Sequence, residues 1–130
     1  METVRNRSVG LLLAAGGVAG FLAVALGAFG AHAIKSHLSA EMLDIFKTGV
    51  QYQAIHALAL LLVALFAERR PASTLLPKVG GLFAVGILIF SGSLYALALT
   101  GIRFLGAITP LGGLCFLAGW ALLTVAAVKE

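Results

Sequence analysis

Charged residues fall in short clusters that divide the chain into four long apolar runs. All 14 of them (nine Lys or Arg and five Asp or Glu) lie outside residues 8–34, 48–67, 79–102 and 104–128. These runs contain 27, 20, 24 and 25 residues. A helix needs about 20 mostly apolar residues, each rising about 1.5 Å, to cross the roughly 30 Å hydrocarbon core of a bilayer. Each run is therefore long enough to span a membrane.

Local signals near the ends of the runs predict where the helices begin and end. Pro71 prevents the second helix from continuing. Pro77 suits the first turn of the third helix, and Gly101 suits its C-terminal cap. Thr109 followed by Pro110 has the pattern of an N-cap and a first-turn proline. The sequence thus predicts one all-α integral membrane domain, a bundle of four transmembrane helices over about 8–33, 40–68, 78–101 and 109–128.

The segment between the first two runs has the spacing of an amphipathic helix. Its apolar residues recur every three or four positions: Ile34, Leu38, Met42, Ile45 and Phe46. Ser39 can act as an N-cap, which predicts a helix from about Ala40 that runs unbroken into the second crossing. Its outer part would lie against the headgroups or cover the bundle. A short connecting helix is a simpler interpretation than a separate membrane-binding device.

Composition excludes a soluble domain and adds little about chemistry. Hydrophobic residues make up 61% of the chain and charged residues 11%, against about 25% charged in a typical soluble domain. The single Cys115 cannot form an internal disulfide. The net charge of +4 does not indicate nucleic-acid binding, because the basic residues flank the apolar runs instead of forming one stripe. The partner that composition indicates is the lipid bilayer.

The distribution of basic residues predicts the topology. With four crossings, one side of the membrane holds six of them: Arg5, Arg7, Arg69, Arg70, Lys78 and Lys129. The other side holds Lys35, Lys47 and Arg103. Because Lys and Arg concentrate in cytoplasmic loops, both termini are expected in the cytoplasm, in a bacterial inner membrane. The first apolar run is too long for a cleaved signal peptide, whose apolar core has roughly 7–15 residues, so an uncleaved first helix is predicted.

Small residues predict where the helices touch. Helices in lipid associate through close packing, which small residues allow. The first helix carries Gly16, Gly20 and Gly27 at spacings that place them on one smooth face, and Gly112 and Gly113 make the fourth helix thin near its start. The face can serve packing within the bundle or contact with a second copy. The first interpretation is favoured, and a homo-oligomer is left open.

Polar side chains inside the apolar runs predict a cluster in the outer half of the bundle. Polar groups are costly within a bilayer, so their depth is informative. Counting 1.5 Å per residue from each midplane places seven of them between the midplane and the outer end of the bundle: His32, Tyr52, Gln53, His56, Ser91, Tyr95 and Thr109. The inner half is almost wholly apolar. Each residue also has an ordinary structural role, since a buried histidine is more often a hydrogen-bond partner than a ligand, and Tyr52, Tyr95 and Trp120 are typical of interfacial aromatics.

These residues give little support to metal or haem binding, proton-coupled transport or catalysis. The only histidines are His32, His37 and His56, and His56 is expected about two turns deeper than the others, which argues against a metal or haem site. No Asp or Glu lies within a run, which argues against proton-coupled transport. No nucleophile, base and orienting group stand at a recognisable spacing. No cofactor and no enzymatic activity are therefore predicted.

Four segments stand in order along the chain: GAFGAHA at 27–33, YQAIHALAL at 52–60, FSGSLY at 90–95 and LGAITPLGG at 105–113. Together they resemble the motifs of the YgdD-type inner-membrane family, a bacterial group catalogued as a domain of unknown function. Small eukaryotic transmembrane proteins share the pattern. The resemblance covers nearly the whole chain and implies a four-helix inner-membrane protein. It implies no reaction, substrate or cofactor.

Two functions stay open at this point. The first is a non-enzymatic structural or membrane-organising component, in which His56, Gln53 and Tyr95 form an interhelical polar lock supported by Ser91 and Thr109. The alternative is a binding or transport protein whose outer polar pocket receives a lipid or a small solute.

Overall fold

Four long helices account for most of the chain. The computed structural model describes the backbone of residues 2–130 and the side chains from residue 7 onward; Arg5, counted in the charge argument, lies outside the described side chains. Within that part, four helices are long and apolar enough to cross a membrane: Arg7–Ile34, Ala40–Arg69, Leu76–Thr100 and Arg103–Lys129. We call them the first to fourth spanning helices. The predicted all-α fold with four transmembrane helices is confirmed.

The ends of the second and third spanning helices follow the local signals. The backbone N–H of Met42 donates to Ser39 Oγ at 3.2 Å, so Ser39 caps the second helix. Pro77 lies in the first turn of the third helix. Gly101 ends it with φ +73°, a left-handed conformation that glycine adopts without strain, and its N–H donates to the Leu97 carbonyl at 2.8 Å.

The start of the fourth helix differs from the prediction. A short 3-10 segment, Arg103–Ala107, precedes the α-helix Thr109–Lys129, and Ile108 occupies the N-cap position without a side-chain bond. Thr109 is therefore not the cap. Its hydroxyl instead lies 2.6 Å from Ser93 Oγ on the third helix, because a contact between helices is available to it there.

The amphipathic segment covers the end of the bundle where the first and second spanning helices are joined. Phe46, which is 2% exposed, packs with Ala31 and Ala98 in a small core cluster. On the solvent side, Arg103 forms an exposed ion pair with Glu41 at 3.2 Å. The first turns of the second helix thus pack their apolar side onto the bundle.

The second spanning helix is the centre of the bundle. In its most apolar stretch 44% of residues are buried, against 17% in the first helix. The main core cluster joins Leu60 and Val63 of this helix to Phe83 of the third and Phe116 of the fourth. The first helix, by contrast, leaves most of its surface to lipid.

Glycines occupy the closest approaches between helices. A Cβ added at Gly16 would lie 3.1 Å from the Ala57 carbonyl oxygen, and one added at Gly27 would lie 2.8 Å from a Val50 methyl group. Gly20 and Gly113 have looser neighbours, at 4.0 Å. Gly112 lies directly on the backbone of Phe90. These contacts are all within one chain, and self-association remains a prediction.

Two π-helical stretches interrupt the first and third helices, at Ala25–Gly30 and Ile87–Ser91. These π-helical stretches were not predicted from the sequence. Such stretches are rare and often occur at functional sites. The second one ends at Ser91, one of the predicted polar residues.

Candidate functional site

Gln53 connects three helices through its side-chain amide. Its Nε2 donates to the Ala19 carbonyl of the first helix at 2.8 Å. Its Oε1 accepts a bond from the Tyr95 hydroxyl of the third helix at 2.7 Å. Gln53 is only 4% exposed. A buried polar group needs such partners, and here each partner belongs to a different helix.

Two serines add bonds on either side of the third helix. Ser91 Oγ donates to the Gly49 carbonyl of the second helix at 2.7 Å. Ser93 Oγ lies 2.6 Å from Thr109 Oγ1 of the fourth helix and also donates to its own Phe90 carbonyl at 2.9 Å. The third helix is therefore bonded to both of its neighbours. Ser91, which was predicted to belong to the polar cluster, bonds to a backbone carbonyl of another helix.

His56 joins the second helix to the fourth and is held in one tautomer. Its Nδ1 lies 2.7 Å from the Tyr52 carbonyl oxygen, which can only accept, so Nδ1 carries the proton. Its Nε2 accepts from the indole Nε1–H of Trp120 at 3.0 Å, because an indole nitrogen can only donate. Both ring nitrogens are thus engaged, and the ring is neutral.

Aromatic rings enclose His56. The Phe116 ring stacks on the imidazole at a centroid distance of 3.6 Å, and Phe83 meets it edge-on at 5.3 Å. Trp120 lies 5.8 Å away and also packs on Phe83 at 4.9 Å. Aromatic pairs of this kind add about 0.5–1.5 kcal/mol beyond the area they bury. His56 is 3% exposed and fixed from several sides.

The seven predicted polar residues do not form one cluster. Gln53 and Tyr95 bond to each other, whereas His56 bonds to Trp120 and to neither of them. The expected lock of His56, Gln53 and Tyr95 therefore divides into two connections, one among the first three helices and one between the second and the fourth.

Among the described residues, two of the seven make no hydrogen bond to another helix through their side chains. His32 is exposed near the C-terminal end of the first helix. Tyr52 is 40% exposed, packs its ring on Phe90 at 4.6 Å and contributes its backbone carbonyl to His56. Trp120 and Ser93 were absent from the predicted set. The signal for Trp120 was an indole N–H within an apolar run, which requires an acceptor when buried.

Comparison with known proteins places the chain among uncharacterised membrane proteins. The model of a family described as "Protein of unknown function (DUF423)" matches residues 26–113. The chain is 46% identical to the UPF0382 membrane protein YwdK of Bacillus subtilis over 88% of this chain and 93% of that protein. It is 45% identical to the UPF0382 inner membrane protein YgdD of Escherichia coli over 86% of this chain and 85% of that protein. No solved structure matches. The family match contains all seven predicted polar residues and ends before Trp120.

Proposed function

The chain belongs to the DUF423 family of membrane proteins of unknown function, as its motifs predicted, and we propose that it is a non-enzymatic structural or membrane-organising component. In this proposal, the hydrogen bonds between its helices hold the bundle in one arrangement. The observation that carries it is that the side chains of Gln53, Ser91 and His56 form hydrogen bonds with other helices of the same chain or with the backbone of their own helix.

The energetics favour a structural role for these bonds. Hydrogen bonds between helices in a membrane contribute about 0.6 kcal/mol on average and up to about 1.7. Among the residues whose side chains are described, every buried side-chain nitrogen or oxygen has a partner. In that part of the bundle, the protein itself therefore supplies a partner for each of these buried atoms.

His56 supports a role without catalysis. To take up a proton, its Nε2 would have to give up the bond from Trp120, and the two N–H groups would then face each other. The ring is also enclosed by Phe83 and Phe116, which separate it from water. A histidine in this setting is suited to fixing helix positions and poorly suited to general acid–base work.

The alternative function is lipid or small-solute binding or transport through the same polar residues. Its support is that Gln53 and Tyr95 line a groove that opens between the first and third helices. Under this alternative, the polar side chains would be needed for ligand retention and not for folding. The two functions therefore differ in what a substitution changes.

A double-mutant cycle on His56 and Trp120 tests the structural proposal. His56→Phe keeps an aromatic ring and removes both nitrogens, and Trp120→Phe removes the indole donor. Each single variant removes the bond between the two side chains and should lower the unfolding temperature in mild detergent; Trp120→Phe also leaves the buried His56 Nε2 unpaired. The double variant should lose less than the sum, with a coupling of about 0.6–1.7 kcal/mol. Leu58→Phe, at a side chain 64% exposed on the same helix, is the control.

Two results would contradict the proposal. Strictly additive losses would mean that the pair makes no specific contribution. Single variants that keep their unfolding temperature but lose a bound species in native mass spectrometry would favour the binding alternative.

We also propose that both termini lie in the cytoplasm of a bacterial inner membrane. The support is the excess of basic residues, six against three, on the side of the termini. A fluorescent protein fused after Glu130 should fluoresce, and alkaline phosphatase fused at the same place should be inactive. Active phosphatase with a dark fluorescent protein would reverse the topology.

A further inference from the structure

A groove separates the first and third spanning helices. The two helices meet toward their inner ends, where Gly80 lies against the side chain of Leu12. Beyond that contact, a cavity of about 600 Å³ opens between them, within the range of ligand sites. Gln53 and Leu60 of the second helix line it from behind, and Leu22 and Leu88 are lipid-exposed residues at its sides.

The dimensions of the groove suit a hydrocarbon chain. Its lining on the first helix runs from Leu11 to Leu26, which is about 22 Å at 1.5 Å per residue. Dividing 600 Å³ by that length gives a cross-section on the order of 30 Å². A linear hydrocarbon chain, whose neighbours approach to about 4 Å, needs on the order of 20 Å².

A helix of a second copy fits less well. With side chains a helix is about 10 Å across, or on the order of 80 Å² in section. The square root of the cross-section of the groove, about 5 Å, sets the width of its mouth, so an opening about 22 Å long offers on the order of 100 Å². This is far below the roughly 800 Å² per partner of a stable complex. The groove alone would not hold a second protein chain.

The polar groups next to the groove do not require a polar ligand. The amide of Gln53 already donates to the Ala19 carbonyl and accepts from Tyr95. Apart from Gln53 and Tyr95, the residues that line the groove are apolar. A hydrocarbon chain would therefore displace no hydrogen bond on entering.

A positive charge marks one end of the groove. Arg7 precedes Leu11 by four residues, one helical turn, so both lie on the same face of the first helix. Arg7 is exposed, and it lies at the membrane end of that helix. An arginine at this depth can contact a lipid phosphate.

We propose that this groove binds one acyl chain of an anionic phospholipid from the leaflet on the N-terminal side, with Arg7 contacting its phosphate. The acyl chain would contact the apolar walls between the first and third helices and would leave the hydrogen bonds of Gln53 and Tyr95 intact. The proposal therefore does not depend on the function proposed above.

The test uses native mass spectrometry of the purified protein with added phosphatidylglycerol carrying two 18-carbon chains. Wild type should retain one lipid per chain. Gly92 lines the groove, and a Cβ added there meets no atom within 4 Å, so a leucine at this position starts in open space and extends into the groove. Gly92→Leu should lower lipid affinity at least about tenfold, or about 1.4 kcal/mol. Gly81→Leu, on the same helix with equal space and outside the groove lining, should bind as wild type does.

Two further variants complete the design. Ala14→Leu fills the groove from the opposite wall and should also weaken binding, which keeps the test valid if Gly92→Leu does not fold. Arg7→Gln should weaken binding of the anionic lipid as well. Equal retention by Gly92→Leu, Ala14→Leu and Gly81→Leu would overturn the proposal. So would a loss confined to Arg7→Gln, or a wild-type dimer that Gly92→Leu converts to a monomer with its lipid unchanged.

Discussion

Replacing Gly112 by alanine should force the third and fourth spanning helices apart. An added Cβ would stand 2.7 Å from both Cα and Cβ of Phe90. Carbon atoms that are not bonded approach to about 3.5–4.0 Å, so the backbones would have to separate by about 1 Å. A gap of that size forfeits about a quarter to a half of the dispersion energy of each affected contact, and overpacked sites cost about 1–3 kcal/mol.

Gly113 is the matched control for this substitution. Its added Cβ would lie 4.0 Å from Phe90 Cδ2, which is ordinary contact. Alanine stabilises a helix interior by up to about 1 kcal/mol over glycine, and this gain cancels between neighbouring positions. Gly112→Ala should therefore be less stable than Gly113→Ala by about 1–3 kcal/mol.

Thermal unfolding in mild detergent, followed by far-UV circular dichroism, measures the difference. For a domain of this size, 1 kcal/mol shifts Tm by roughly 3–6 °C, so the two variants should separate clearly. Equal Tm values would refute the close backbone contact between the two helices. A fall in both variants would instead show that the fourth helix tolerates no added methyl group near its start.

Two smaller effects should appear in the same assay. Ser39→Ala removes the cap that accepts the Met42 N–H and should cost about 1 kcal/mol, whereas Ser36→Ala should be neutral; equal losses would contradict the capping role. Hydrogen bonds donated by the Ser73 hydroxyl and by Thr74 hold the pKa of the Glu130 carboxyl below its ordinary 4.5. The ionised carboxylate therefore stabilises the fold above pH 4.5, and this contribution fades as the pH falls through the lowered pKa. Glu130→Gln should therefore flatten the acid side of the Tm–pH profile, and a parallel acid loss in both proteins would contradict this.

Membrane physics made the fold predictable from sequence. Within lipid, a chain must satisfy its backbone hydrogen bonds internally. A long apolar run that crosses the bilayer therefore becomes a helix. Ser39, Pro77 and Gly101 then mark ends that depend only on local backbone geometry. The π-helical stretches have no such local signal, because they depend on how neighbouring helices pack.

The candidate site was predictable in depth but not in direction. Counting residues placed Gln53 and Tyr95 at similar levels, and they bond. His56 is three residues from Gln53, so it lies about one turn deeper and points about 60° away around the helix. That rotation turns His56 toward Trp120 on the fourth helix, while Gln53 faces the first and third. Since the order of helices around the bundle was unknown, the two could not be separated from sequence.

The first spanning helix is the element through which the membrane can act on this fold. It is the least buried of the four, and beyond Leu12 a groove separates it from the third helix. Its polar link to the rest of the bundle runs from the Ala19 carbonyl to Gln53. One such bond contributes about 0.6 kcal/mol in a membrane, whereas a ligand present at 100 times its Kd stabilises by about 2.7 kcal/mol. A bound acyl chain in the groove would therefore contribute more than that hydrogen bond to holding the first helix against the third.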